Sequence, residues 1–138
     1  MMADVFKEAA TRLNDTYLIP LLTRDIFWAI AALSEGGEVV GGLTAHTLPM
    51  TRAESSELFI DDLAVRATHQ RQGIGRQLVT AAAEQGIDEV FVAADVAGFH
   101  ALDFYRALGG AALTARQKCQ LREYRRRLLL RTTIVSDS

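Results

Sequence analysis

Hydrophobic and polar positions along the first third of the chain predict two helices followed by a strand. Apolar residues within Ala3–Leu13 recur at helical spacing, which indicates an amphipathic helix. Tyr17–Leu22 reads as a second, short helix whose first turn Asp15 or Thr16 could cap. The continuous apolar run Ile26–Leu33 then predicts a buried strand, because a strand covered on both sides has no polar face.

The pattern continues as strands and then as alternating helices and strands. Gly41 and Gly42, inside the predicted strand Glu38–Leu48, indicate a bulge or a close backbone approach. The later elements are the strands Ser56–Val65 and Glu89–Asp95 and the helices Ile74–Gln85 and Phe99–Leu108. This order is an antiparallel meander that runs into a β-α-β crossover. It predicts an α+β fold, an α/β/α sandwich in which helices cover both faces of one mixed sheet.

Length and composition favour one domain over residues 1–138. The hydrophobic fraction of 49% is enough for a core at this length. The sequence has no uninterrupted apolar run of the roughly 18 residues that a membrane helix needs, so no membrane partner is expected. The N-terminus lacks the basic and apolar regions of a signal peptide, and the single cysteine excludes an internal disulfide. We therefore expect a cytoplasmic protein.

Charge is distributed unevenly along the chain. Residues 1–110 contain 8 Lys and Arg against 15 Asp and Glu, a balance of −7, whereas residues 111–138 contain 7 against 2, a balance of +5. An acidic body suits a cationic ligand, although ordinary surface charge explains the same numbers. No cysteines and histidines have metal-ligand spacing, so we predict no metal site and interpret His46, His69 and His100 as unrelated.

The loop between the third strand and the next helix carries the most specific signal. It reads Gln70-Arg71-Gln72-Gly73-Ile74-Gly75, and the helix begins inside it. First-turn N–H groups of a helix lack backbone acceptors and lie at the positive end of the helix dipole, so they can bind phosphate. Glycine lets the backbone approach that phosphate closely, and Gln70, Arg71 and Arg76 can add side-chain donors. A glycine-softened helix start without a ligand is the alternative reading.

This loop resembles the Gln/Arg-x-x-Gly-x-Gly/Ala signature of GNAT acetyltransferases, which lies between a strand and a helix. The resemblance implies acetyl-CoA as co-substrate, with its pyrophosphate on the loop and its pantetheine arm along the central strand. That strand and the one after it, Glu89–Asp95, would splay apart and leave a V-shaped slot for the arm. The cofactor-binding residues implied are Leu63, Ala64, Val65, Gln70, Arg71, Gln72, Gly73, Ile74, Gly75 and Arg76.

Residues 17–110 resemble one family within GNAT, the class I aminoglycoside 3-N-acetyltransferases. The resemblance is carried by Ser56–Val65, which ends in Asp-Leu-Ala-Val, by His69–Gly75, and by Ala94-Asp95. Three departures stand beside it. The chain has no first strand, it has Asp61 where the family tends to have tyrosine, and residues 111–138 do not look like the family's final strand pair.

The family resemblance also implies how the reaction proceeds. Tyr105 matches the tyrosine assigned as the acid that protonates the departing thiolate, and the acceptor amine attacks the thioester directly. Asp95, at the end of a core strand, is the predicted base. Glu57, Asp61 and Asp62 are the predicted substrate-binding carboxylates. A regular strand would turn Asp62 away from the other two, whereas a bulge near Asp61 would re-aim one carboxylate. Structural hydrogen bonding or solvation is the alternative for each acid.

Several interpretations of the acceptor and the tail stay open. The expected partner is a small-molecule amine, an aminoglycoside in the first instance, with a polyamine, a peptide amine or another metabolite as alternatives. A different class of function is a catalytically weak CoA-binding module. The arginine-rich tail has no aromatic interleaving, so we expect no nucleic-acid partner. Its apolar residues could instead complete the sheet or a homodimer, and we do not assign Cys119 there as a nucleophile.

Overall fold

A computed structural model describes residues 2, 5, 12–84, 87, 89–93, 99–113 and 118–121. The helices are α1 (Asp15–Leu22), α2 (Ile74–Ala83) and α3 (Phe99–Ala107), and a short 3-10 turn spans Ala67–His69. The strands are β1 (Phe27–Leu33), β2 (Val39–Pro49), β3 (Ser56–Val65), β4 (Glu89–Ala93), β5 (Gly110–Leu113) and β6 (Lys118–Leu121). None of these helices has the length and apolar character that a membrane span requires.

The strands form one mixed sheet in the order β1-β2-β3-β4-β6-β5. Neighbouring strands are antiparallel, except for β3 and β4, which run parallel and are joined by the crossover through α2. The predicted mixed sheet with a meander and a β-α-β crossover is therefore confirmed.

One face of the sheet packs against α2 and α3 and holds the core. Leu43, Ala45, Leu58 and Ile60 from β2 and β3 are completely or almost completely buried there. The helices contribute the apolar stripe of α2 and the end of α3, which are Ile74, Leu78, Val79, Ala82, Tyr105 and Leu108. The apolar periodicity of α2 therefore lies on its buried side, as an amphipathic helix requires.

The beginning of the chain differs from the prediction in two details. Leu13 is not helical, so the predicted helix Ala3–Leu13 is wrong at its end; Met2 and Val5 are helical, and most of the rest of that segment lies outside the described residues. The cap of α1 is Asn14, not Asp15 or Thr16, because its Oδ1 accepts a hydrogen bond from the N–H of Tyr17 at 3.0 Å. Asn is as good a cap as Asp, and the helix simply begins earlier than predicted.

The C-terminal segment adds two strands whose bounds the sequence did not predict. Residues 111–138 do not resemble the family's final strand pair, but their apolar residues were expected to be able to complete the sheet; β5 and β6 form an antiparallel pair, and β6 joins the edge of β4. Four-residue strands such as Gly110–Leu113 are too short to show a clear alternation, which is why the pattern did not predict them. The rest of the tail, including Arg125 and Leu128, lies outside the described residues.

Gly41 marks the close backbone approach that its position in the strand predicted. A Cβ at this position would lie 3.0 Å from Cγ2 of Ile74 and 3.3 Å from the carbonyl oxygen of Ala64. The first of these neighbours belongs to α2 and the second to the β3 backbone, so neither can move freely. The absent side chain therefore lets α2 lie close against the sheet.

We predict that Gly41→Ala lowers the free energy of unfolding by about 1–3 kcal/mol, the usual cost of overpacking. Gly36→Ala is the matched control, because its added Cβ would meet only Ser34 Oγ at 3.8 Å. Urea unfolding of both variants measures the difference. Equal stabilities would contradict the tight packing at Gly41.

Candidate functional site

A bulge in β3 shapes the site. Thr44 pairs with Asp62 and Ala45 pairs with Ile60, so Asp61 is an extra residue that has no pairing partner on β2. Side chains alternate between the two faces of a strand, and one extra residue shifts the alternation after it. Ile60 therefore faces the core, and Leu63 again faces the α2 side. Both aspartates then lie on the opposite face, so the prediction that a bulge re-aims one carboxylate is confirmed.

The bulge directly follows the last pair between β3 and β4 in the described part of the chain. The parallel ladder in the described residues begins at Glu57 with Glu89 and ends at Ile60 with Val92. β3 continues to Val65 and stays paired with β2 along this stretch. Alternate residues of the segment 62–65 therefore turn their N–H and C=O groups toward the β4 side, where no described residue pairs with them. Such an edge can pair with an extended amide-containing ligand.

The loop before α2 has the backbone of an anion-binding turn. Arg71 has a φ of 65° and Gly73 has a φ of 85°, both left-handed. Left-handed residues next to ordinary ones turn successive N–H groups toward one side and form a concave nest for anions. No side chain caps α2, so its first-turn N–H groups stay free of intrahelical and capping partners. Gln70 also donates from Nε2 to the carbonyl oxygen of Val65 at 3.0 Å, which ties this loop to the end of β3.

A cleft of about 980 Å³ joins the end of β3, this loop and α3. Of the predicted cofactor residues, those that line the cleft are Leu63, Val65, Gln70, Arg71, Gly73, Ile74, Gly75 and Arg76. Ala64 is instead buried on the other side of the strand, and Gln72 hydrogen-bonds weakly through Nε2 to the carbonyl oxygen of Thr68 at 3.4 Å. Most of the predicted set is thus brought together in one place.

The two glycines of the loop differ in what their missing side chains permit. A Cβ at Gly73 would meet nothing within 4 Å, so this position is open toward a ligand. A Cβ at Gly75 would lie 3.1 Å from the ring of Phe104 in α3. Gly75 therefore lets α3 pack closely against the start of α2, in addition to lining the cleft.

Tyr105 lies at the inner wall of this cleft. It is 5% exposed, belongs to the core cluster and packs edge to face against Phe104 at a ring-centroid distance of 5.0 Å. The side chain is thus fixed while it still borders the open space. The predicted base Asp95 lies outside the described residues.

The face of the sheet opposite α2 and α3 carries the predicted substrate carboxylates. Asp61 contacts His46 through Oδ2 and Nδ1 at 2.5 Å, and Asp62 accepts a hydrogen bond from Thr44 Oγ1 at 3.3 Å. Glu57 lies on the same face by alternation with the buried Leu58. Glu89 lies beside Glu57 on β4. We call the surface formed by Glu57, Asp61, Asp62 and Glu89 the acidic face.

The sequence analysis missed some residues around these two regions. His69, His100, Asp103 and Phe104 also line the cleft. His46, interpreted as one of three unrelated histidines, contacts Asp61. The alternation of β2 puts Thr44 and His46 on one face, which was the available signal, but it does not tell which β3 residues lie opposite. The described part of the chain contains no cluster of side chains suited to a metal ion.

The comparison with protein families agrees with this geometry. Residues 2–110 match the model of the acetyltransferase (GNAT) family. The chain therefore belongs to the GNAT family and is an acetyltransferase, as its loop and sheet predicted. Members of this family generally use acetyl-CoA as the acetyl donor. A comparison with curated protein sequences gave no significant match.

Solved structures similar to this chain include aminoglycoside acetyltransferases from uncultured soil metagenomic samples. One of them, meta-AAC0020 in complex with sisomicin, has 39% identity and a TM-score of 0.69 over 76% of this chain and 72% of that one. Another, HMB0005, has 35% identity and a TM-score of 0.74 over 83% and 81%. A ribosomal-protein-alanine N-acetyltransferase from Brucella melitensis, at 22% identity and a TM-score of 0.64 over 82% and 83%, shares the fold.

Proposed function

We propose that this enzyme transfers the acetyl group of acetyl-CoA to a primary amine of a polycationic small molecule, with aminoglycosides as the acceptor class. The observation that carries the proposal is that a cleft and an acidic surface lie on opposite faces of the sheet at the same bulge. The anion-binding cleft lies on one side of the sheet, and the acidic face lies on the other. The segment 62–65 of β3, which has no described partner on the β4 side, would connect them.

The cleft accounts for the donor. The first-turn N–H groups of α2 and the nest at residues 71–73 would bind the pyrophosphate, with Arg71 and Arg76 adding positive charge. The amides of the pantetheine arm would pair with the open edge of β3 after Ile60, in the manner of an added strand. The thioester would then lie near the bulge, where Leu63 and Tyr105 border the cleft.

The acidic face accounts for the acceptor. Four carboxylates on one face attract a polycation and hold its ammonium groups. The similarity to aminoglycoside acetyltransferases at 35–39% identity supports an aminoglycoside in particular. Those proteins are similar to this chain over 76% and 83% of its length.

The chemistry would be direct attack. A deprotonated amine attacks the thioester carbonyl, the N–H groups at the open edge of β3 stabilise the oxyanion, and the thiolate leaves. Tyr105 would protonate the thiolate, because its hydroxyl-bearing side chain borders the cleft. Asp95 is the base predicted from the sequence, and it would take the proton that the acceptor ammonium group loses before the attack.

Gly73→Asp is predicted to lower the affinity for acetyl-CoA by about tenfold or more, roughly 1.4 kcal/mol. The new carboxylate would stand in open space where the pyrophosphate binds. Gly73→Asn is the matched control, since Asn has the same shape and both residues tolerate the left-handed backbone. Calorimetric titration with acetyl-CoA measures both. Equal affinities of the two variants would contradict the phosphate site.

Tyr105→Phe is predicted to lower turnover by roughly 10²-fold while acetyl-CoA binding stays unchanged, because only the hydroxyl is lost. Tyr17→Phe, at an exposed tyrosine of α1, is the control and should behave as the parent enzyme. Steady-state thiol release with both variants gives the answer. Normal turnover in Tyr105→Phe would leave this residue a packing role only.

The acceptor class is tested by measuring thiol release from acetyl-CoA with gentamicin-type aminoglycosides, spermidine and a peptide amine. We expect the highest kcat/KM with the aminoglycoside, and a fall in that value as ionic strength rises, since salt screens the attraction to the acidic face. Acetylation of the peptide alone would contradict the aminoglycoside proposal, and acetylation of none would contradict the proposed function as a whole.

A further inference from the structure

His46 and Asp61 form a side-chain pair that was not predicted from the sequence. Nδ1 of His46 lies 2.5 Å from Oδ2 of Asp61, and the two side chains are 34% and 31% exposed. His46 is paired across the sheet with Phe59, and Asp61 follows two residues later on the same face of β3. The contact therefore lies at the bulge that places Asp61 and Asp62 side by side.

The contact fixes which nitrogen of His46 holds the proton. A carboxylate can only accept a hydrogen bond, so Nδ1 must be the protonated nitrogen. In the neutral ring, Nε2 then has a free lone pair, and no residue of the described part of the chain hydrogen-bonds to it. The ring of Phe27 packs against the imidazole at a centroid distance of 5.0 Å and an interplanar angle of 62°, which restrains its orientation. A positioned imidazole of this kind is a common general base.

The location of the pair relates it to the proposed reaction. By alternation His46 shares its face with Thr44, which is hydrogen-bonded to Asp62, so the ring lies on the acidic face. Asp61 is also the first residue of β3 beyond the last described pair with β4. We infer that His46 is the general base for the acceptor amine and that Asp61 is a positioning residue that holds its tautomer and orientation. This inference rests on the proposed function and assigns the proton acceptor within it.

With His46 as the base and Tyr105 as the acid, every proton in the reaction has a donor and an acceptor. The ammonium group of the acceptor gives one proton to Nε2 of His46, and the freed lone pair forms the C–N bond with the thioester carbonyl. As the tetrahedral intermediate collapses, the C–S bond breaks and the thiolate takes the Tyr105 proton. The amide nitrogen loses its second proton, which restores Tyr105. The imidazolium, one third exposed, returns its proton to water.

His46→Gln and Asp61→Asn are the decisive variants, because each keeps the size of the side chain and removes its acid-base chemistry. We expect His46→Gln to lower kcat roughly 10²-fold with an aminoglycoside, with little change in KM or in acetyl-CoA affinity. Asp61→Asn should lower kcat by about tenfold or more, since an amide can stabilise the wrong tautomer. Asp61→Asn added to His46→Gln should cost little more, because the two residues act as a unit. Glu35→Gln, in the exposed turn before β2, is the carboxylate control and should match the parent enzyme.

Two further measurements distinguish a general base at position 46 from a histidine that only stabilises the sheet through its contact with Asp61. Free imidazole should restore part of the kcat of His46→Ala. An aminooxy acceptor, which is uncharged at neutral pH, should lose much less in His46→Gln than an ammonium-bearing acceptor does. A side chain that only braces the sheet would produce neither effect. Unfolding free energies of all variants show whether any has lost its fold, and imidazole rescue remains informative for a partly destabilised protein.

The results of these experiments distinguish a wrong assignment of the base from a wrong proposed function. An unchanged kcat in His46→Gln, or a loss confined to KM, overturns the assignment while acetyl transfer by the parent enzyme stands. A normal kcat in His46→Gln together with a large loss in Asp95→Asn returns the base to Asp95. Absence of acetyl transfer to every amine by the parent enzyme overturns the inference together with the proposed function.

Discussion

The bulge at Asp61 is the constraint on which the rest of the site depends. One extra residue in β3 shifts the alternation of side chains, so Ile60 and Leu63 both face the α2 side while Asp61 and Asp62 face away. In the described residues, the last pair with β4 is at the residue before it. A regular strand would not keep two adjacent carboxylates on one face.

This arrangement separates the tasks of the two faces. The α2 side provides the apolar core and a cleft with free helix N–H groups, which suits a phosphate-bearing donor. The opposite side provides carboxylates and the His46–Asp61 pair, which suits a cationic amine. The segment of β3 after the bulge, residues 62–65, lies between them. Close packing at Gly41 and Gly75 holds α2 against the sheet and against α3, so the loop at residues 70–73 is fixed relative to that segment.

The extent to which the sequence predicted this structure follows from the range of each interaction. The bounds of β3 were predicted correctly and those of β1 to within one residue, because apolar runs and turn residues are local signals. The loop before α2 was found because its glycines and cations are contiguous. The strands β5 and β6 were missed because short strands carry little pattern and pair with distant residues. The His46–Asp61 contact was missed because it needs the register of two strands, which the sequence pattern does not give.

Amide hydrogen exchange along β3 tests most directly the proposal that acetyl-CoA pairs with the edge of β3 after the bulge. Saturating acetyl-CoA should slow exchange at alternate amides within residues 62–65, because bonded N–H groups exchange only after local opening. Exchange within residues 57–60, already paired with β4, should change little. Deletion of Asp61 should abolish the added protection while the protein stays folded, since it makes the β2–β3 pairing continuous. Identical exchange at residues 62–65 with and without acetyl-CoA would contradict the account.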